Sequence, residues 1–194
     1  MKTGAKGKIC QALLELADGK SAQDVTVSEL IARAGINRST FYYHFTGTYE
    51  VLEYMMEDFC AQYLSALMIP RGEVAKSISK SSQDALEKGV CDYIRKAGHV
   101  VPFFLQEPHY RLFAKHFRKA FQDYCQAHTI VQVFPDGHTE QLKRGVFYDY
   151  YVHMSCLRLF AVLECWAERN FSETEEDFVH IFDTLHNTSI SFQG

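Results

Sequence analysis

The segment VTVSELIARAGINRSTFYYHFTGTYEVL, Val25 to Leu52, decides how this chain folds. Thr26 and Glu29 stand three residues apart at the head of an apolar stripe, Val27, Leu30 and Ile31. That is capping-box spacing, in which hydroxyl and carboxylate each satisfy a free amide at a helix start. Gly35 ends this helix after two turns, since glycine takes a left-handed backbone at no steric cost. Asn37 then opens another helix as its N-cap. Two short helices joined by a tight glycine turn make a helix-turn-helix. In such units the second helix enters the major groove, with its amino-terminal residues facing the bases.

The second helix carries two kinds of residue. Phe41 and Phe45 are four apart, so both turn back onto their own helical unit as core. Arg38, Ser39, Thr40, Tyr42, Tyr43 and His44 are left over, and a packed core has no use for them. Arg38 suits either a bidentate pair with guanine O6 and N7 or a phosphate. Ser39 and Thr40 suit hydroxyl hydrogen bonds to phosphates or bases. Tyr42 and Tyr43 combine a flat apolar ring with a donor at its tip, and at least one of them is expected against the sugar-phosphate backbone. His44 can donate to a phosphate. As a catalytic base it lacks a serine, cysteine or carboxylate placed to work with it. Arg33 is either a phosphate contact or a solvated helix residue.

The rest of the chain reads as helix. Ile9, Leu13, Leu16 and Ala17 form one face of a first helix, with Gly19 as its stop. A fourth helix is expected from Tyr49 to about Met68, capped by Thr48 and broken at Pro70 and Gly72. EVAKSISKSS reads partly as loop, a helix follows from about Ser82 to Ala97, and VVPFFLQEP reads as a short helix or turn. HYRLFAKHFRKAFQDYCQA keeps Tyr110, Phe113, Phe117, Phe121 and Tyr124 on one stripe. HTIVQVFPDGHT is a loop punctuated by Pro135 and Gly137. The longest helix should run from about Glu140 to Asn170. A last one should start at a Ser172–Glu175 capping box and run to about Asn187.

Composition limits the function classes. The chain has 194 residues and a formal net charge of -4, with 47% hydrophobic and 14% aromatic residues, enough for a substantial core. Charge is uneven: residues 1–44 hold six Lys/Arg against four acids, a net of +2, leaving -6 on the remainder. The amino-terminal end is the one suited to a polyanion. No apolar run approaches the ~18 residues of a membrane helix, and no signal-peptide core follows the basic start. A soluble, cytoplasmic protein without a membrane partner is expected. The six cysteines form no C-x-x-C pair and none stands at zinc spacing with a histidine. Reduced core cysteines are expected, with redox sensing as the alternative, and neither metal nor cofactor is expected. Paired carboxylates, a nucleophile motif and a phosphate loop are all missing, so an enzyme is not expected.

Val25–Leu52 resembles the DNA-binding region of TetR/AcrR-family transcriptional regulators. The matching pieces are Thr26 opening the second helix, IARAGI leading into the turn and STFYYHF in the recognition helix. The resemblance implies an all-α fold, with a three-helix helix-turn-helix domain over 1–47 and a helical effector-binding and dimerisation domain over 48–194. It implies a homodimer on double-stranded DNA with a palindromic operator, and a repressor released by a small-molecule effector. The alternative is a ligand-dependent co-activator with weak or accessory DNA binding. Thr26, Arg33, Asn37, Arg38, Ser39, Thr40, Tyr42, Tyr43, His44 and Thr48 become the candidate DNA-binding residues. One departure stands out: the family places a phosphate-binding lysine where this chain has Thr48, and Lys2, Lys6 and Lys8 are candidates to compensate.

Family resemblance also puts the dimer surface on the last two helices. Val152, Cys156, Leu159, Leu163 and Trp166 repeat at helical spacing there, followed by Phe178, Ile181, Phe182 and Leu185; an ordinary intramolecular core is the alternative. The stretch WAERNFSETEED is more loosely similar to the dihydroxyacetone-kinase-regulator branch. The middle helices would enclose the effector, with His99, Phe103, Phe104, Tyr110, Phe113, Phe117, Tyr124, Tyr148, Tyr151 and His153 as candidate ligand-binding residues. The alternative is that these aromatics fill the core.

Overall fold

The computed structural model describes residues 4–17, 21–67, 80–133, 139–174, 176–178 and 180–181. The helices are α1 (Ala5–Leu16), α2 (Val27–Ala34), α3 (Arg38–His44), α4 (Thr48–Leu67), α5 (Lys80–Ala97), α6 (Val101–Leu105), α7 (Tyr110–Ala127) and α8 (Val146–Glu168). Short 3-10 turns lie at Ala22–Asp24 and Gly98–Val100. The chain divides into two compact units, one from the described residues of 1–62 and 99–122, the other from those of 63–98 and 123–194. The all-α expectation holds, with one addition below.

In the first unit, α1 buries Ile9, Cys10, Ala12 and Leu13, with Ala17 just beyond. The Thr26–Glu29 capping box forms as its spacing predicts: Thr26 N–H and Oγ1–H donate to Glu29 Oε2 at 2.7 and 2.8 Å, and Glu29 N–H donates to Thr26 Oγ1 at 3.2 Å. Gly35 closes α2 at φ +62°. Its N–H donates to Ala32 O and that of Ile36 to Ile31 O, the paired bonds of a Schellman end. Thr48 is the first residue of α4 and not its cap. The side-chain bonds at this start come from Thr46, whose N–H and Oγ1–H reach Glu50 Oε2 at 2.6 and 2.8 Å. These bonds hold the Glu50 carboxyl below its usual range.

The core of this unit is aromatic. Phe59 of α4 lies edge-on to Phe104 and Phe113, each at 6.0 Å between ring centroids. Phe104 and Phe113 are 5.0 Å apart. Ring pairs in this arrangement add about 0.5–1.5 kcal/mol each beyond the area they bury.

In the second unit, the segment expected to be a loop and the residues just after it contain a two-stranded antiparallel ribbon. β1 (Val131–Val133) pairs with β2 (Thr139–Gln141), and Gln132 stands opposite Glu140. Three residues per strand are too few to register as alternation in the sequence. The ribbon also delays α8, which begins at Val146 after Gly145 at φ +156° rather than at Glu140. The carboxyl end of α8 is a second Schellman turn, made without glycine. Asn170 and Phe171 both adopt left-handed backbone, their N–H groups donating to Ala167 O and Trp166 O. Phe171 packs on Trp166 at 5.7 Å, the apolar contact such turns favour. A Cβ on Gly98 would fall 3.1 Å from Ile94 and 3.2 Å from the same Phe171 ring, so a larger residue there would require these side chains to shift by a few tenths of an ångström.

In the segment that follows, Thr174 and Asp177 form a cap, while Glu175 of the expected Ser172–Glu175 pair lies outside the described residues. Thr174 Oγ1–H donates to Asp177 Oδ2 at 2.8 Å and accepts from Asp177 N–H at 3.1 Å. Gly19, Pro70, Gly72, Phe182 and Leu185 lie outside the described residues, as does most of EVAKSISKSS.

Candidate nucleic-acid interface

α3 is two turns long and sharply two-faced. Asn37 Oδ1 accepts from Thr40 N–H and from Ser39 Oγ–H, each at 2.7 Å, fixing the first turn. Phe41 is fully buried and Phe45, at the end of the helix, nearly so. Their rings stand 6.2 Å apart, and Phe45 lies edge-on to Tyr54 of α4 at 5.5 Å. The opposite side is open: Arg38 and Ser39 are exposed, Tyr42 is 47% exposed and Tyr43 84%. Thr40 and His44 are half-buried. The Tyr43 and His44 rings meet edge to face at 4.9 Å. Arg38 Nη2–H donates to Tyr42 Oη at 3.3 Å, with the guanidinium 5.4 Å from the ring centroid.

The remaining sequence-predicted residues already have partners within the chain. Thr26 and Asn37 spend their side chains on caps. Arg33 is bound to Glu15 of α1. Gln11 first and Arg33 second hold the Glu15 carboxyl low. Thr48 Oγ1–H donates to Val25 O at 2.8 Å, tying the start of α4 to the segment before α2.

The structure gives Lys6 defined partners and adds two histidines that the sequence did not single out. Lys6 Nζ sits 4.5 Å from the Tyr54 ring centroid and 5.6 Å from that of Phe45. It thus lies against the end of α3 and the adjoining ring of α4. Its signal in the sequence is its position four residues before Cys10, on the edge of the buried face of α1. His109 is buried and joins distant segments: Ala22 N–H donates to its Nε2 at 3.3 Å, so the ring proton sits on Nδ1, which donates to Phe103 O at 3.1 Å. His116 is buried on the stripe of Phe113 and Phe117, its ring nitrogens 3.6 and 3.4 Å from Glu53 and Glu57. A histidine on the apolar face of so amphipathic a helix was the available signal.

The candidate ligand residues divide between the units. Phe104, Phe113 and Phe117 are fully buried in the aromatic core of the first unit, Phe103 and Tyr110 are half-buried and His99 is exposed. In the second unit Tyr124 stacks on His128 at 4.1 Å, and buried Tyr148 donates from its hydroxyl to Cys125 O at 3.0 Å. Tyr151 and His153 are exposed. Five cysteines are buried and Cys165 is exposed. Burial, aided by the nearby Asp58 charge, pushes the Cys10 thiol up to about 12. Burial, aided by Cys156, takes Cys125 to about 11.

α8 corrects one expectation outright. Val152, Cys156, Leu159, Leu163 and Trp166, the expected dimer stripe, are buried within the protomer, and Phe178 stacks on Trp166 at 4.3 Å. The face turned the other way carries Phe147, Tyr150, Tyr151, Met154 and Leu157, all exposed, and Ile181 beyond the helix is exposed too. No described helix is long and apolar enough to cross a membrane.

Residues 9–55 match the family described as bacterial regulatory proteins, tetR family. Among solved structures, the chain is similar to a member of the TetR transcriptional regulator family from Streptomyces coelicolor A3, with 15% identity over 95% of this chain and 90% of that one, at a TM-score of 0.41. No curated protein matches the chain.

Proposed function

We propose, for a chain whose residues 9–55 match the tetR family of bacterial regulatory proteins, that it works as a homodimeric repressor on a palindromic operator. The observation that carries this reading is the division of α3. Phe41 and Phe45 anchor it, and Arg38, Ser39, Tyr42 and Tyr43 face outward on a helix whose start is held by Asn37. Two copies of α3 would occupy successive major grooves about one helical turn apart. The functional division is a DNA-reading segment over 1–47 and an effector and dimerisation segment over 48–194.

The dimer surface in this reading is the outward face of α8 together with the segment that follows it. α8 is apolar on two opposite sides, and a helix apolar all round belongs in an interior. Phe147, Tyr150, Met154 and Leu157 reach such an interior when a second copy covers them. An effector held among the middle helices would release DNA by binding more tightly to a dimer whose two α3 helices no longer match the groove spacing. An effector with equal affinity for both states shifts nothing.

Gel-shift titration of the full chain against its own upstream DNA, at two salt concentrations, tests the reading. A specific complex that weakens steeply with salt is expected, because neutralised phosphates release counterions. Absence of any specific complex at low salt would sink it. The accessory-binding alternative draws on Thr48, Arg33 and Lys6, whose side chains are already engaged inside the chain. Its signature is a shallow salt slope with regulatory output unaffected by Arg38→Ala.

A further inference from the structure

We infer that Arg38 reads a guanine in each half-site and that Tyr42 is the positioning residue that aims it. This rests on the DNA-binding reading above and names the base that reading leaves open. Arg38 and Tyr42 stand four residues apart on the exposed face of α3, opposite buried Phe41. The guanidinium lies over the Tyr42 ring at 5.4 Å and gives one Nη2–H to the phenol oxygen at 3.3 Å. A guanidinium has five N–H donors in a rigid planar fork, so one bond to tyrosine leaves a paired edge unused. The stack and the bond together hold that fork along the helix face and reduce its sideways freedom. A phosphate also accepts such a fork in a bidentate pair, and the test below separates it from a base edge.

Among the bases, guanine alone presents two adjacent acceptors, O6 and N7, in the major groove. Adenine offers one acceptor beside a donor, thymine one acceptor beside a methyl, and cytosine a donor. The neighbouring cations are differently disposed. Arg33 is held by Glu15 and Lys6 lies over Phe45 and Tyr54, so neither duplicates the Arg38 arrangement.

The test is enrichment of a randomised duplex library by the full-length protein, followed by titration of the selected site. The site is compared with versions carrying adenine or 7-deazaguanine at the enriched guanine. Wild type should lose roughly 5- to 150-fold on either replacement, the discrimination of a good bidentate pair. Arg38→Ala, which removes every donor at this position, should bind guanine and adenine versions alike. Tyr42→Phe should narrow the preference several-fold and leave the salt slope unchanged. The inference is overturned by selected sites without a fixed guanine. It is also overturned if Arg38→Ala weakens every site equally, lowering the salt slope by about one contact with base preference intact. Failure to shift any duplex at all would instead refute the DNA-binding reading itself.

Discussion

α3 and α8 share one layout and differ in what surrounds it. Each turns a buried apolar face inward and shows aromatic rings to solvent. On α3 the outward rings belong to Tyr42 and Tyr43, interleaved with Arg38 and Ser39, so every exposed ring carries a polar tip beside a charge or hydroxyl. On α8 the outward row runs Phe147, Tyr150, Met154 and Leu157, a nearly continuous apolar run with half-buried Arg158 at its end. The first surface can stay wet and still gain when a polyanion arrives. The second gains chiefly by leaving water, at roughly 25 cal/mol per Å² of apolar area covered. Exposed aromatics therefore say little by themselves, and their neighbours decide what they meet.

The largest effect should come from placing a charge on the α8 row. Met154→Glu is expected to give monomers in sedimentation and to weaken operator binding by about 100-fold or more, since paired half-sites lose their effective concentration advantage. Circular dichroism should stay unchanged, because Met154 is outside the protomer core. A variant that remains dimeric would show that this face is not the subunit contact and would break the contrast with α3.

The two inward faces should behave alike. Phe41→Ala is expected to cost about 3–5 kcal/mol and Leu163→Ala about 2–5 kcal/mol of stability in urea unfolding, as for buried large-to-small changes generally. A much smaller loss at Leu163 would put its side chain in the dimer surface after all. Asn37→Ala should cost about 1 kcal/mol through the lost cap. It should weaken DNA binding by more than that loss alone, because α3 is too short to form without help.

Acid gives a subtler separation. Thr46 holds the Glu50 carboxyl low, and Thr174 does the same for Asp177. A depressed carboxyl contributes stability that is complete above its ordinary value, near pH 4, and is lost as pH falls through the depressed one. Thermal melts between pH 6 and 3 should therefore decline less steeply for Glu50→Gln than for wild type. The smallest effect is expected at Arg33. With its guanidinium on Glu15, Arg33→Gln should leave the salt slope of operator binding unchanged, and a fall of about one contact would return Arg33 to the phosphate-binding set.

What the sequence made readable follows the range of the interactions involved. The capping box, the Gly35 turn, the Asn37 cap and the Phe41–Phe45 anchor all lie within a few residues of one another, and each stood where spacing predicted. The engagement of Arg33 depends on Glu15, eighteen residues away, and that of Lys6 on Phe45 and Tyr54, so neither was visible locally. α8 defeated periodicity for another reason. Being apolar on both sides, it offers two stripes of equal claim, and helical spacing cannot say which one faces the protomer. The end of α8 was hidden too, because its left-handed turn uses Asn170 and Phe171 where glycine is the usual marker.

The shortness of α3 limits how much information one subunit can extract. Seven residues at about 1.5 Å each span roughly 10 Å, or about three base-pair steps at ~3.4 Å. Three fully read positions distinguish about 64 sequences, and two half-sites together about 4,000, while a genome offers on the order of a million or more competing sites. Hundreds of chance matches would survive that filter. In the dimeric reading proposed above, the fixed distance between half-sites and the stiffness of the DNA joining them would supply the remaining selectivity, so base pairs that no side chain touches would become part of the address.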